Sequence, residues 1–360
     1  GDVNTNVGRD MTAMMQKVPV GVVGMITPWN FPLLIISQKL PIALAAGCTA
    51  VIKPSEMTPG TTLLLGGMLK EAGLPDGVVN IVAGYGDPVG MTLAESNDVD
   101  MISFTGSTAV GKHIVRASAG NLKKVELELG GKNPQIIFPD ADIDALIDAV
   151  VFGIYFNMGE CCNSGSRIII HEDIAAGFEA KVIAHAKKVK VGDPLDPTVK
   201  VGAIINNNQF DKIMKYIESG IAQGAKVTLG GKALKSDRGS FIEPTIFSDV
   251  TPDMDIACEE IFGPFTVDNT VNVNEISSLQ SINLFPNPAN NQTHLMAEFE
   301  QVEDLGITIF NILGERVFFE ERETSSLNMD LEISNLSVGT YFLQIKAKAG
   351  IHTEKLEILR

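Results

Sequence analysis

Cysteine, tryptophan and positive charge are all scarce in this sequence of 360 residues. It contains four cysteines and one tryptophan, and its 28 lysines and arginines stand against 44 acidic residues. Two of the cysteines are adjacent, and neighbouring cysteines rarely pair with each other. The spacing of the four matches neither a zinc site nor a disulfide framework. The cysteine pattern therefore favours a reducing compartment, one reactive thiol and no metal site.

The charge balance and the lack of long apolar runs exclude two classes of partner. A net charge of −16 repels phosphate backbones and argues against general nucleic-acid binding, although backbone amides can still bind a small anion. No uninterrupted apolar run reaches the ~18 residues that cross a bilayer, so we expect no membrane span. The first ten residues, GDVNTNVGRD, have neither the basic nor the apolar region of a signal peptide.

The chain changes character near residue 266. Before that point short apolar β-type runs alternate with helical runs, and this rhythm predicts a parallel sheet covered by helices. The predicted strands are Val18–Ile26, Ala50–Ile52, Val78–Val82, Met101–Phe104 and two within Val125–Phe138; the predicted helices include Thr61–Glu71 and Ala141–Phe152, the latter with Asp140 as its N-cap.

The remaining 94 residues have a different texture. The segment 267–281 is polar and rich in Asn and Ser, as linkers often are. Strands then follow one another with turn signals between them, for example at Gly306–Leu313, Thr340–Ile345 and Lys355–Leu359. These residues contain 14 acidic and 6 basic side chains, so they carry half of the net charge of −16, and they contain no cysteine. The pattern predicts a small antiparallel β-sandwich of separate origin.

Two motifs in the first part carry groups suited to covalent chemistry. In ECCNSGSR (160–167) a thiol stands beside small and polar residues; it is either an activated nucleophile or, as lone cysteines more often are, an inert apolar side chain. In ELELGGKNP (126–134) Glu128 stands beside a Gly-Gly pair that lets a backbone approach a ligand. Glu128 is there a candidate general base, with a solvated turn carboxylate as the alternative.

Four further motifs suit ligand binding, and each has an ordinary structural alternative. FTGSTAVG (104–111) follows a strand and opens a helix, where amides and Ser107 can hold a phosphate, although it is not the common glycine-rich fingerprint. KPSE (53–56) either offers charges to a nucleotide ribose or is an ordinary connection from a strand to a loop. Asn30 in TPWNFP (27–32) can donate to an oxyanion or cap a helix. The acids of EEIFGP (259–264) touch a ligand hydroxyl or face solvent.

The six motifs occur together and in one order, and that combination resembles the NAD(P)-dependent aldehyde dehydrogenase family over about Lys17 to Phe265. The resemblance implies an α/β fold: a Rossmann-type parallel-sheet cofactor domain plus an α/β catalytic domain, both incomplete. With the β-sandwich, we expect a partial NAD-binding domain at 1–130, a partial catalytic domain at 131–265, a linker at 266–280 and a sandwich at 281–360.

The resemblance also implies roles for individual residues. Cys162, rather than Cys161, matches the nucleophile that attacks an aldehyde, while Asn30 and the Cys162 backbone N–H stabilise the oxyanion. Glu128 matches the group that activates water against the thioester, and Lys39 matches a lysine with a supporting role in proton relay or positioning. Cys161 is then a packing neighbour, and Cys48 and Cys258 are structural.

NAD is the implied cofactor, and NADP is less favoured because Glu56 would repel a ribose 2′-phosphate. By the same resemblance Lys53 and Glu56 hold the adenosine ribose, and Glu260 holds the nicotinamide ribose with Phe262 packed near it. The residues expected along the pyrophosphate and adenine, or against the ligand backbone, are Gly106, Ser107, Val110 and Gly130.

The match stops short of the family pattern at both ends. We therefore expect the family's N-terminal segment, the end of its cofactor domain and the strand that builds its homo-oligomers to be absent. Missing strands leave sheet edges and apolar faces exposed, which puts turnover by this chain in doubt. The alternative function is a dehydrogenase scaffold that binds ligands without turnover.

The last part of the chain has its own resemblance. LFPNPA (284–289), IFNILGERV (309–317) and LSVGTYF (336–342) are similar to the C-terminal sorting domain of type IX secretion cargo, over about Ser281 to Arg360. That resemblance implies export to the cell surface or medium and the secretion machinery as a partner, whereas the dehydrogenase part implies the cytoplasm, which supplies NAD and keeps thiols reduced. A hybrid gene, an artificial join of two genes and a secreted binding protein are the three readings that follow.

Overall fold

The computed structural model describes residues 2–4, 13–271, 276–348 and 350–359. Its contacts divide the chain into two units, Gly1–Thr270 and Val271–Arg360. The first unit opens with a short antiparallel pair, β1 (Asp2–Asn4) and β2 (Ala13–Met15).

A five-stranded sheet builds the first half of the first unit. Its strands are β3 (Val22–Ile26), β4 (Thr49–Lys53), β5 (Val79–Ile81), β6 (Met101–Gly106) and β7 (Lys124–Leu129), and its helices are α1 (Leu34–Ala45), α2 (Gly60–Glu71), α3 (Met91–Glu95) and α4 (Thr108–Ser118). The strand order is β5-β4-β3-β6-β7 and every neighbouring pair is parallel. The predicted parallel sheet with covering helices is confirmed.

The strands of this sheet read as continuous apolar runs because helices cover them. Met25, Ile52 and Ile102 are fully buried at the centres of β3, β4 and β6. The sequence predicts a strand from Val18, but β3 begins only at Val22. Pro19 lacks the N–H that a ladder requires, and Val18 is exposed.

A second sheet builds the rest of the first unit. Its strands are β8 (Pro134–Ile137), β9 (Arg167–His171), β10 (Lys226–Leu229), β13 (Thr245–Ser248) and β14 (Phe265–Val271), with a separate pair β11 (Ala233–Leu234) and β12 (Phe241–Ile242), and its helices are α5 (Ile143–Tyr155), α6 (Glu172–Ala186), α7 (Asn207–Ala222) and α8 (Asp255–Cys258). The order is β10-β13-β14-β9-β8. Strand β10 is antiparallel to β13, whereas β13 is parallel to β14 and β8 is parallel to β9.

The N-cap of α5 differs from the prediction. The sequence predicts Asp140 as the cap, but the helix begins at Ile143 and Asp142 caps it, with Oδ1 accepting from the Ala145 N–H at 3.2 Å. Two acids stand within three residues here, and only Asp142 has the spacing that reaches the third amide of the helix.

Strand β14 continues into the segment predicted as a linker. Residues 266–268 are buried in the middle of the second sheet, although two of the three are polar. The Thr266 hydroxyl donates to Gly165 O at 3.2 Å, so its burial is compensated. The polar composition that suggests a linker therefore belongs, at its beginning, to a buried strand; residues 272–275 lie outside the described residues.

Asp268 is the weak point of this strand, and replacing it should stabilise the protein at alkaline pH. Its side chain is 6% exposed, and Oδ1 has no hydrogen-bond partner in the described part of the chain. Burial, helped by the nearby Glu179, raises its pKa to about 7. A raised folded-state pKa gives stability that is complete below the unfolded value of about 4 and is lost as pH rises through about 7.

We expect Asp268→Asn to raise stability by only about 1.5 kcal/mol near pH 5 and by up to about 4 kcal/mol at pH 8. Chemical denaturation followed by the fluorescence of Trp29, the single tryptophan, measures this in the first unit. Asp237→Asn, in an exposed loop, is the matched control. Equal effects of Asp268→Asn at both pH values would contradict the assignment.

The strands described for the second unit pair antiparallel, and one isolated bridge is parallel. Its strands are β15 (Leu279–Phe285), β16 (Gln292–Asn311), β17 (Arg316–Glu332), β18 (Gly339–Ala347) and β19 (Gly350–Ile358). The first half of β16 pairs with β15, its second half pairs with β18, and β17 follows it along most of its length. One core joins residues of both halves, and Ala289 bridges to Ile358. The predicted all-β domain is present, and its layers are parts of one curled sheet.

None of the helices in the described residues combines the length and the apolar character that crossing a bilayer requires.

Candidate active site

Two cavities of the first unit meet at the carboxyl ends of β6 and β7. The smaller has a volume of about 180 Å³ and the larger about 440 Å³. Both are lined by Pro28, Trp29 and residues 105–107, so they are adjacent. Parallel strands direct their carboxyl ends to one edge of a sheet, which is where ligands bind in such folds. We call them the reaction cavity and the nucleotide cavity.

The reaction cavity collects most of the residues singled out in the sequence. Its lining contains Asn30, Gly106, Ser107, Glu128, Gly130, Cys162, Glu260 and Phe262. These residues come from five separate motifs spread over more than 230 positions, and folding brings them around one space.

Cys162 and Cys161 have different surroundings. Cys162 is half-buried and lines the reaction cavity. Cys161 is buried, its Sγ donates to Asn163 Oδ1 at 2.8 Å, and burial raises the pKa of its thiol. Because the thiolate is the reactive form, the surroundings of Cys161 disfavour its reaction, whereas the Cys162 side chain borders the cavity. All four cysteines are free, and Cys258, expected to be structural, is exposed.

The loop that carries Cys162 is fixed from several sides. Asn133 Nδ2 donates to Cys162 O at 2.5 Å, and Gln135 Nε2 donates to Gly165 O at 3.2 Å. Gly159, before the loop, approaches Gly263 so closely that a Cβ at position 159 would lie 1.9 Å from Gly263 O. The loop is therefore a rigid support for the thiol, which catalysis requires.

Glu160 supports the same loop from beneath. Its side chain is 1% exposed, and burial raises its pKa to about 8 despite a hydrogen bond from Ile205 N–H to Oε1 at 3.3 Å. The carboxyl group is therefore protonated at neutral pH and places no charge beside Cys162.

Asn30 does not cap the helix that follows it. Helix α1 begins at Leu34 with Leu33 at its N-cap position, which removes that alternative. Instead Asn30 Nδ2 donates to Glu160 O at 3.0 Å. Since the amide nitrogen carries two hydrogens, the second can be donated into the cavity that Asn30 lines.

Glu128 reaches the cavity from β7, opposite Thr105 of β6. Two residues later the chain passes Gly130, where a Cβ would lie 2.0 Å from Glu260 Oε2. The glycine pair therefore lets the Glu260 carboxylate lie against the backbone. Burial raises the pKa of Glu260, and the Gly131 N–H and the charges of Lys212 and Lys132 act against it.

Helix α7 holds the loop of Glu260 and Phe262, a role that sequence reasoning missed. Gln209 Nε2 donates to Ile261 O at 3.1 Å and to Phe262 O at 2.7 Å, and Lys212 Nζ donates to Glu260 O at 3.0 Å. The ring of Phe262 meets Trp29 edge to face, with centroids 5.4 Å apart. The spacing of three between Gln209 and Lys212 is a signal of a shared helix face, but nothing in it identifies a ligand.

Lys39 lies outside the lining of both cavities. Its Nζ donates to Glu126 Oε2 at 2.7 Å and to Ser103 Oγ at 2.8 Å. Burial acts to raise the pKa of Glu126, but the hydrogen bonds from Lys39 and Ser103 outweigh it, and the pKa is lowered. The three side chains join α1, β6 and β7, two residues behind Glu128 on the same face of β7.

The nucleotide cavity contains the other predicted binding residues. Lys53, Glu56, Gly106, Ser107 and Val110 line it. Lys53 is 3% exposed, and its Nζ donates to Pro54 O at 2.9 Å and to Glu56 Oε2 at 3.5 Å.

The beginning of α4 and two buried hydroxyls suit a nucleotide. Ser107 caps α4, its Oγ accepting from the Val110 N–H at 3.4 Å. The buried Oγ1 atoms of Thr27 and Thr105, which line this cavity, have no partner among the described residues. Buried polar atoms are normally hydrogen-bonded, so these two hydroxyls are suited to hydrogen-bond a polar ligand. Together with the helix N-terminus, the residues present fit a dinucleotide that spans both cavities.

Family comparisons agree with both parts of the sequence analysis. Residues 1–280 match the model of the aldehyde dehydrogenase family, a wider range than the predicted 17–265. Residues 283–359 match the model of the secretion system C-terminal sorting domain. Human retinal dehydrogenase 2 is 50% identical over 259 residues, which cover 72% of this chain and 50% of that protein. Human retinaldehyde dehydrogenase 3 is 51% identical over 247 residues, which cover 68% and 48%.

Solved structures place the same fold on the first unit. The NAD-dependent aldehyde dehydrogenase of Sinorhizobium meliloti superposes with a TM-score of 0.74 at 47% identity, over 76% of this chain and 54% of the other. Betaine aldehyde dehydrogenase of Staphylococcus aureus, in complex with NAD+ and with a BME-modified cysteine, gives 0.73 at 40% identity, over 76% and 56%. The chain thus spans about half the length of the relatives it matches.

Proposed function

The chain belongs to the aldehyde dehydrogenase family, and we propose that it oxidises an aldehyde to a carboxylic acid with NAD as the hydride acceptor. The observation that carries the proposal is the reaction cavity, which is lined by Cys162, Glu128 and Asn30 and lies beside the nucleotide cavity. A thiol, a carboxylate and an amide donor around one space are the groups that acyl chemistry on an aldehyde requires.

The first step is attack of the Cys162 thiolate on the aldehyde carbon. A C–S bond forms and the carbonyl π electrons move to the oxygen. Asn30 donates its second amide hydrogen to this oxygen, and the Cys162 backbone N–H donates as well. NAD bound by the residues of the nucleotide cavity would supply the hydride acceptor, and loss of the hydride would leave the carbon as a thioester on Cys162.

The second step releases the acid. Glu128 takes a proton from a water molecule, whose oxygen attacks the thioester carbon. The C–S bond then breaks, the acid leaves, and Cys162 returns as a thiolate. Lys39, bound to Glu126 and Ser103 behind Glu128, has a supporting role, either in positioning β7 or in proton relay.

The adenosine part of the cofactor is assigned to the nucleotide cavity and its nicotinamide part to the reaction cavity. Lys53 and Glu56 bind the adenosine ribose, and the Glu56 carboxylate disfavours the 2′-phosphate of NADP by charge repulsion. The α4 N-terminus at Ser107, with Gly106 and Val110, faces the pyrophosphate and adenine. Glu260 binds the nicotinamide ribose beside Gly130, and Phe262 packs against Trp29 at the same end.

An aromatic cluster beside Asn30 favours an apolar aldehyde. Phe31 stacks on Phe156 with centroids 5.8 Å apart, and Phe156 meets Phe152 at 4.7 Å. Phe152 and Phe156 are 62% and 45% exposed. Exposed aromatic rings of this cluster, which contains Phe31, the residue next to Asn30 in the sequence, gain most by covering an apolar substrate chain.

The test is formation of NADH by the full chain. We expect NADH with NAD and a medium-length aliphatic or aromatic aldehyde, a lower kcat/KM with acetaldehyde, and a lower kcat/KM when NADP replaces NAD. The absorbance of the reduced cofactor measures all three. A folded chain that binds NAD but produces no NADH from any aldehyde would leave the scaffold reading and remove the enzymatic one.

For the second unit we propose export by the type IX route. It is supported by the match of 283–359 to the sorting-domain family and by the separate contact unit that these residues form. In a bacterium with this secretion system the full chain, supplied with a signal peptide, should reach the cell surface or medium, and in a strain without the system it should remain in the periplasm. Equal distribution in the two strains would contradict the proposal.

A further inference from the structure

Asn157, which neither the sequence motifs nor the proposed mechanism uses, lies between the oxyanion residue and the nucleophile loop. Its Nδ2 donates to Asn30 O at 3.1 Å and to Glu160 O at 3.2 Å. The Glu160 carbonyl accepts a second hydrogen bond, from Asn30 Nδ2 at 3.0 Å. The three residues thus form a closed set in which Asn157 binds the main chain of Asn30 and shares an acceptor with its side chain.

The backbone at Asn157 is unusual. Asn157 has φ 50° and ψ 44°, Met158 has φ 59° and ψ 20°, and Gly159 has φ 69°. Three consecutive left-handed residues are strained for the two that are not glycine. Such strain persists only where the surroundings determine it, and it concentrates at functional sites. Asparagine is also the side chain that tolerates this conformation best.

We infer that Asn157 is a positioning residue for the oxyanion donor, an inference that rests on the proposed function. Asn30 can stabilise the oxyanion only if its free amide hydrogen points into the reaction cavity. The bond from Asn30 to Glu160 O fixes the plane of that amide, and Asn157 fixes both the acceptor and the Asn30 backbone. Both hydrogens of the Asn157 amide are used for this purpose.

Asn157 connects two segments that are far apart in the chain. Asn30 and Glu160 are 130 positions apart; Asn30 lies between β3 and α1, and Glu160 lies between α5 and β9. A misplacement of about 1 Å between an oxyanion donor and the carbon under attack costs about 100-fold in rate. A side-chain amide that binds a carbonyl of each partner reduces that freedom directly.

Two substitutions separate the amide from the backbone strain. Asn157→Gly keeps the left-handed conformation at little cost and removes both hydrogen bonds. Asn157→Asp keeps the size and shape but directs a carboxylate oxygen at two carbonyl oxygens. Asn121→Asp is the matched control, because Asn121 Nδ2 also donates to two main-chain carbonyls, those of Asn97 and Val99, at 3.2 and 3.1 Å, far along the chain from the site.

The readout is acylation of Cys162, measured in two ways. One is the pre-steady-state burst of NADH with an aldehyde. The other is the burst of nitrophenolate from p-nitrophenyl acetate without NAD: the C–S bond forms, the ester C–O bond breaks, and nitrophenolate leaves. The second reaction needs the thiolate and the oxyanion donor but no hydride transfer, so it separates this inference from the proposed function.

We expect both Asn157 variants to acylate about 10- to 100-fold more slowly in both assays, with the KM for the ester within twofold of the wild type. Asn121→Asp should acylate at the wild-type rate. A structural role alone would not produce a fall in the burst rate at constant KM in a variant whose Trp29 fluorescence reports a folded unit.

Three outcomes would overturn the inference. They are wild-type acylation by Asn157→Gly, an equal loss in Asn121→Asp, and a wild-type chain without either burst, which would also remove the proposed function. An ester burst without NADH from the wild type would remove the proposed oxidation and leave the positioning role to be decided by the ester assay.

Discussion

Replacing Glu128 with glutamine is expected to leave one rapid turnover and to block those that follow. Glutamine has the size of glutamate and still lines the cavity, so Cys162 can attack and the hydride can leave. It cannot accept a proton from water, and the thioester on Cys162 then persists. Loss of a positioned general base costs about 10²- to 10⁴-fold, so the steady-state rate should fall at least 100-fold.

Rapid-mixing absorbance measures this result as a burst of NADH, with an amplitude close to one per Cys162, followed by a nearly flat phase. The intact mass of the protein after the burst should increase by that of the acyl group. Glu71→Gln, at the exposed end of α2, is the control and should turn over normally. A Glu128→Gln protein with the wild-type steady-state rate would assign the deacylation step to another group.

The residues of the reaction cavity could be selected from the sequence because each stands in a short local motif, and the motifs occur in the order typical of one family. Parallel strands bring their carboxyl ends to one edge, which is why Ser107 after β6 and Glu128 at the end of β7 line the same cavity. Family resemblance then distinguished Cys162 from Cys161, which composition alone does not. The structure adds a reason, the half-buried position of one thiol and the hydrogen-bonded burial of the other.

The residues that support the site could not be selected in this way. Gln209 and Lys212 lie on one face of α7, and the acceptors of their hydrogen bonds are main-chain carbonyls more than 45 positions away. The spacing of three predicts the shared face but not what it contacts. Asn157 depends in the same manner on Asn30, 127 positions earlier. Every residue has a main-chain carbonyl, so the sequence does not show which one a side chain will bind.

Fold errors came from segments in which local composition and tertiary position disagree. Residues 266–268 are polar enough to suggest a linker, yet β14 holds them inside the second sheet. Asp142 rather than Asp140 caps α5 because the helix begins later than its apolar pattern. By contrast, the strands of the first sheet agree with prediction within a few residues, because their apolar runs and their burial coincide.

Replacing Cys162 with alanine is expected to abolish NADH formation, in the burst as well as in the steady state. The thioester cannot form without the thiolate, and water attacks an aldehyde far less readily than a thiolate does. We expect a loss of at least about 10³-fold, close to the limit of detection. The fold should remain, since Cys162 is only half-buried and the loop bonds use its carbonyl.

Two measurements distinguish this result from simple damage. Trp29 lines both cavities, so its fluorescence should change on NAD binding, and Cys162→Ala should bind NAD with the wild-type affinity. Cys161→Ala is the matched control: it removes a buried thiol one residue away, so it should lower stability while the rate stays within a few-fold of the wild type. Residual NADH formation by Cys162→Ala, together with its loss in Cys161→Ala, would move the nucleophile to position 161 and with it the geometry proposed for Asn30 and Glu128.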